Sequence, residues 1–379
     1  MILFGFAFGI SWLDAIIRVV ILVLFMTVIV LLLTWAERKI AGRIQQRLGP
    51  TRTGPAGLLQ PIADAGKLLT KEDVRPTTAD SWVFQVAPFA LFVPIFVSFL
   101  ALPYTSSLWV RSLPLGLFFI IAVQSISIVG ILMAGWGSDS KYALIGVVRG
   151  VAQMISYEIP LVLSVLAVAM LAQSIDLQRI VEEQATVPNI VWQPLPFVLF
   201  VAAAMAELNR QPFDMSVSES EVAGGVFIEY SGIRWSMFFL GEYANLFIMS
   251  LFGTVLFLGG YAWPFGLDVG WPLQLLLTLV KVTLMIIFLI WLRFSVPRLR
   301  IDQLMSLAWK VLIPLALLQI LLNGLILVYD WPKAILGVLS LLALVASSVL
   351  VRRSVRRTTR SPREERLEAL RIRAARGVG

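Results

Sequence analysis

Nine apolar runs, each near the length a helix needs to cross a bilayer, dominate the chain. They fall at roughly 14–35, 82–102, 113–134, 143–171, 191–207, 235–260, 271–293, 307–329 and 332–351. A span takes about 20 apolar residues, because a helix rises about 1.5 Å per residue and the hydrocarbon core is about 30 Å thick. In lipid every backbone polar group must be satisfied within its own segment, so such runs fold as helices. Only 14% of the 379 residues are charged, against about 25% in soluble domains. The expectation is an all-α polytopic membrane protein with about nine transmembrane helices. Eight is the alternative, because the last two runs are separated only by Tyr329-Asp330-Trp331-Pro332.

Lys and Arg set the orientation, since cytoplasmic connections carry the basic excess. Alternate connections and the tail hold twenty-six of the 31 basic residues, and the opposite side holds only Arg111, Arg179 and Lys333. Arg18 and Lys281 fall within runs. This places the N-terminus outside and the tail inside. An eight-span count would put the tail's ten arginines outside, so nine is preferred. The net charge of +8 thus follows a membrane rule and gives no support for a nucleic-acid partner. No basic region precedes the first apolar run, so no removable signal peptide is expected.

One connection breaks the basic pattern. Residues 207–242 carry Glu207, Asp214, Glu219, Glu221, Glu229 and Glu242 against Arg210 and Arg234. Charged groups at membrane depth are costly, so they usually face protein or water and serve a function. A solvated loop would share this composition. Pro212 disfavours helix at Gln211, and the Gly224-Gly225 pair adds a second flexible point.

Two further stretches stand out. In the first loop, residues 36–80, Leu58, Leu59, Ile62, Ala65, Leu68 and Leu69 recur at helical spacing around Asp64, Lys67 and Lys71. This reads as a cytoplasmic amphipathic helix lying in the headgroup region or against a partner. The membrane domain is expected over residues 1–351, with a basic cytoplasmic tail over 352–379. Residues 362–376 of that tail read as a basic helix suited to anionic lipid or an acidic partner, or as a plain positive tail that enforces topology.

The chain has no Cys and no His. No disulfide, thiolate metal site or iron–sulfur ligation is possible within it, and no metal site is expected. Proton chemistry must use Asp, Glu, Lys, Tyr or water. There is no Walker motif, dinucleotide fingerprint or nucleophile elbow. The functional candidates are therefore the ionisable groups near the membrane. Glu158 lies about midway along the fourth run, between Tyr157 and Pro160. Glu207 ends the fifth run, Glu229 and Glu242 flank the start of the sixth, and Glu37-Arg38-Lys39 closes the first. Together the acids could line a hydrated path into the membrane. Each also has a structural reading, such as a snorkelling Lys281 or a Glu37 paired with its neighbours.

Several motifs occur together and in order: Trp35-Ala-Glu37-Arg38-Lys39, Gln46-Arg-Leu-Gly-Pro50, the loop 57–72, Ser140-Lys-Tyr-Ala-Leu-Ile-Gly146, Gln153-Met-Ile-Ser-Tyr-Glu158, Glu207-Leu-Asn-Arg-Gln-Pro-Phe-Asp214 with Glu219-Ser-Glu221, and Pro297-Arg-Leu-Arg-Ile-Asp-Gln-Leu-Met305. Over roughly residues 14–330 the chain resembles the H-type membrane subunits of respiratory complex I (the chain-1 subunit in mitochondria), the proton-translocating NADH:quinone oxidoreductase of bacterial inner membranes. The resemblance implies a protein without its own redox centre that forms the membrane side of a quinone chamber and starts the proton-coupling path. Quinone would be the substrate. Flavin and iron–sulfur clusters would sit on partner subunits, and the partners would be other membrane-arm subunits, the soluble arm and lipid. It further implies quinone contacts at Glu37, Arg38, Asp64, Lys67, Phe213, Arg293 and Arg298. The implied proton path runs through Glu158, Glu207, Asp214, Glu219, Glu221, Glu229 and Glu242. One departure stands out: the family reads Pro-Phe-Asp-Leu-Pro-Glu-Ala-Glu where this chain has Ser216 for the second Pro and Val217 for the first Glu.

Two other readings compete. A related component of a membrane-bound hydrogenase-type complex would share the fold, and an ion or solute transporter would also carry intramembrane acids. Transporters commonly show paired halves with matched broken helices, which the sequence does not display.

Overall fold

The computed structural model describes residues 11–107, 113–217, 219–263 and 269–358. Among them there are helices and no strands. All nine apolar runs become helices: α1 (Ser11–Ile44), α3 (Ser81–Ser98), α4 (Gly116–Gly137), α5 (Lys141–Ala172), α8 (Pro194–Glu207), α10 (Gly232–Phe257), α11 (Trp271–Ser295), α12 (Ile301–Leu307) with α13 (Ile313–Val328), and α14 (Lys333–Thr358). Among the described residues seven are long and apolar enough to cross a membrane, while Pro194–Glu207 and the Lys333–Val349 part of α14 are shorter. Short helices fill the connections: α2 (Gln60–Thr70), α6 (Leu177–Glu183), α7 (Asn189–Trp192) and α9 (Glu219–Val222).

Several boundaries differ from the sequence expectation. The fifth run is split at Gln193, where Pro194 starts a fresh helix of 14 residues. That length spans about 21 Å, short of the hydrocarbon core. The first helix runs nine residues past its apolar stretch, so Glu37, Arg38 and Lys39 ride on α1 instead of in a loop. Run eight is α12 joined to α13 through one π-helical turn, Ala308–Leu312. The tight turn before α14 is present, with Tyr329 and Trp331 rings stacked at 5.6 Å. The last helix continues past residue 351 to Thr358, and the expected tail helix at 362–376 lies outside the described residues.

α10 is the hub. Each of the fifteen residues from Tyr243 to Phe257 is buried, as suits a helix apolar on all sides. α3, α11, α1 and α8 pack around it. Small residues permit close approach: a Cβ at Gly130 of α4 would lie 2.4 Å from the Leu91 backbone nitrogen of α3. Lys281 of α11 donates through its Nζ to the Gly260 and Ala262 carbonyls just beyond α10, at 2.9 and 3.0 Å.

Candidate functional site

The acidic connector is a folded structure held against α5. Gln153, fully buried, donates through one amide nitrogen to the Ala206 carbonyl at 2.7 Å and the Phe213 carbonyl at 2.6 Å. Tyr157 packs on Phe213 with ring centroids 5.1 Å apart. Gly225, at positive φ, sits so tightly on the Ser216 carbonyl that no side chain would fit there. Glu221 then pairs with Arg149 of α5. The connector's far end is tied to the first loop, where Arg234 meets Asp73 at 3.0 Å and the Val74 amide donates to Ser231 at 3.1 Å.

This folding buries a charge cluster. Glu37 of α1, 5% exposed, accepts from Arg210 of the connector at 2.7 Å and from Arg293 of α11. The Tyr243 hydroxyl also reaches Glu37, and the Arg210 guanidinium lies over the Tyr243 ring, 4.7 Å from its centroid. Burial works against the Arg210 cation, but Glu37, Tyr243 and Glu242 beside it outweigh this and raise its pKa above the ordinary arginine range. Asp214 and Arg298 form a second pair at 2.7 Å. Arg210, Arg293, Tyr243 and Asp214 of these groups border a cavity of about 360 Å³ whose walls also include Asn209, Glu242, Trp235 and Phe239. Val217, the departure from the family pattern, is on its wall too.

Two small cavities lead away from it. The first, about 30 Å³, shares Asn209 and Glu242 with the large one and reaches Glu207. The second, about 10 Å³, shares Glu207 and reaches Glu158 and Gln124. These volumes suit about one water each. The Oε2 of Glu207 is buried and has no hydrogen-bond partner among the described residues. Glu158 accepts from Ser125 of α4. Glu242, Glu207 and Glu158 thus form a row from the large cavity toward the middle of α5.

The other residues singled out from sequence lie elsewhere. Arg38 and Asp64 pair at 2.5 Å between α1 and α2, partly exposed, and Gln60 also donates to Asp64. Burial works against the Asp64 anion, but the Arg38 and Gln60 hydrogen bonds hold its carboxyl below the usual range. Lys67 is exposed on α2. Phe213 faces a separate, wholly apolar cavity of about 270 Å³. Glu221 sits on the connector surface, half-buried Glu229 lines none of these cavities, and the side chain of Glu219 is outside the described residues. Arg210 and Tyr243, which complete the cluster around Glu37, are not among the site residues that the sequence singles out. Both stand beside marked acids in the connector, and that proximity is the available signal. Trp235 and Phe239 give none beyond their aromatic character.

The helical bundle and its buried charges define a polytopic membrane protein. Residues 17–324 match the family model for NADH dehydrogenase. The NADH-quinone oxidoreductase H subunit of Dehalococcoides mccartyi is 46% identical over 313 residues, covering 83% of this chain and 87% of the relative. The protein of that name from Brevibacillus brevis is 44% identical over 323 residues, covering 84% and 96%. The chain belongs to the NADH dehydrogenase family, as an H-type membrane subunit of complex I.

Proposed function

We propose that the 360 Å³ cavity receives the headgroup of a quinone, and that the Glu242–Glu207–Glu158 row begins the path by which its reduction drives proton transfer. The relatives' names supply the substrates, NADH and quinone. The single observation that carries the reading is the chain of shared walls, from the large cavity through Glu242 and Glu207 to Glu158. The large cavity has the size of a small-molecule site, with both aromatic side chains and several polar groups on its wall. Arg210, Arg293 and Tyr243 can donate hydrogen bonds to a carbonyl oxygen. An anion formed there would press on Glu242, and a proton drawn from Glu242 could be replaced through water from Glu207. Electrons would come from an iron–sulfur protein of the soluble arm, fed by flavin. The first loop and the connector, joined by the Arg234–Asp73 pair, would form its docking face on the cytoplasmic side. The chain alone would have no oxidoreductase activity.

The test uses the assembled complex in native membranes. A photoreactive short-tail quinone should label the 235–243 peptide and be displaced by unlabelled quinone. The same complex bearing Glu158→Gln should retain that labelling while losing coupled turnover. Absence of displaceable label on this peptide overturns the chamber, and unchanged turnover and pumping in the variant overturn the row.

A further inference from the structure

The apolar cavity that Phe213 faces belongs neither to the quinone chamber nor to the carboxylate row. Phe200 of α8 and Met285 of α11 converge on Gly253 of α10, where a Cβ would come within 2.7 and 3.2 Å of them. Toward the connector the two helices part. Val201 and Met205 then face Phe288 and Leu292 across a groove of about 270 Å³, with Pro212 and Phe213 at its end. Its rim residues Val198 and Val296 are exposed. Along α8 the groove runs from Phe197 to Met205, and along α11 from Phe288 to Val296. Eight residues of rise give about 12 Å, close to the hydrocarbon depth of one leaflet, about 15 Å. That leaflet is the cytoplasmic one by the charge asymmetry. A basic segment crosses the groove's connector end. The Leu299 amide donates to the Pro212 carbonyl at 3.2 Å, which ties the segment carrying Arg298 and Arg300 to a residue of the groove wall. Arg298 is already held by Asp214, and Arg300 is exposed.

We infer that this groove binds one acyl chain of an anionic phospholipid from the cytoplasmic leaflet, with Arg300 facing the phosphate. The apolar walls match the chain, the one-leaflet length matches its reach, and the basic segment sits at headgroup level. The occupant also covers the flank of α8, which at 14 residues is too short to meet both membrane surfaces alone. A leaflet rich in anionic lipid favours each nearby arginine.

The intact complex, reconstituted in phosphatidylcholine vesicles, would be given a trace of phosphatidylglycerol carrying a diazirine on its acyl chain. A phosphatidylcholine probe of the same chain would be the control. Peptides 197–205 and 288–296 should take up the anionic probe about fivefold more than the neutral one, the effect expected of one arginine at such a surface. Val198→Trp, which blocks the exposed rim, should abolish that labelling. Arg300→Gln should equalise the two probes without loss of labelling. Both positions are exposed, so assembly should persist on native gels. Equal labelling by the two probes in the unaltered complex, displacement of the probe by long-tail quinone, or no labelling of either peptide would each overturn the assignment. These results would mean, respectively, annular lipid only, a quinone-tail site and a face covered by another protein of the complex.

Discussion

Two regions built from the same residue type behave in opposite ways. Behind the wall of the large cavity Glu37 is surrounded by Arg210, Arg293 and Tyr243, which do line it. A few residues away Glu207 is equally buried, yet its outer oxygen has no partner and its charged neighbour is another acid, Glu158. Pairing decides the outcome. A buried carboxylate held by two guanidiniums is a rivet, because losing one partner strands the others. A buried carboxylate without a cation has nothing to offset its desolvation, so its charge state answers to what enters the cavity beside it. The same helix, α10, reaches both: Tyr243 joins the first set, and Glu242, which Arg210 and Arg293 also face, links that set to Glu207.

The contrast can be broken by neutralising one acid of each kind. Glu37→Gln takes away the carboxylate that pairs with buried Arg210, leaving Glu242 as the acid that still faces it, at a cost of about 3–5 kcal/mol. The complex should fail to assemble, as read by native gel and by extraction of the soluble arm at low salt. Glu158→Gln removes no ion pair, so assembly should persist while NADH-to-quinone turnover falls about a hundredfold, the usual scale for losing a proton-transfer group. If both variants assemble and turn over normally, the division between rivet and row is wrong.

Val217 sharpens the comparison from the chamber side. Val217→Glu adds an acid to a wall that already carries Arg210 and Arg293, so it should be tolerated, with turnover within about twofold of the parent given partial solvation. A large loss would show that this wall needs an apolar residue. The smallest effect belongs to Asp64. Its carboxyl lies below the ordinary value of 3.8 because Arg38 and Gln60 bond to it. The folded value is the lower one, so the stabilisation is complete above 3.8 and is lost only as pH falls through the folded value. Asp64→Asn should loosen α2 slightly and equally across the neutral range, visible as modestly faster proteolysis of residues 45–60.

Hydropathy located a helix in each of the nine apolar runs because burial in lipid demands long apolar runs with no alternative structure, and it missed the short helices α6 and α9. It could not see that Gln193 and Pro194 split the fifth run, since hydropathy over a window averages across a two-residue break. The acids were legible for a related reason: each is an exception in an apolar background. Their partners were not. Glu37 and Arg210 are 173 positions apart, and no local pattern joins them. Nor did sequence separate Asp64 and Lys67, which face the surface, from Glu37, which does not.

The place of Glu158 has an electrical consequence. It stands seventeen residues into the 32 of α5, about midway along a helix read as a membrane span. Carrying one charge fully across a membrane held at 100 mV takes about 2.3 kcal/mol, and reaching Glu158 takes roughly half of that. On the proposed path the voltage therefore acts on the first proton transfer itself. The row would work as a sensor of the load against which the complex pumps: with the outside positive, a proton passing from Glu158 towards the cavity is favoured and one passing the other way is opposed.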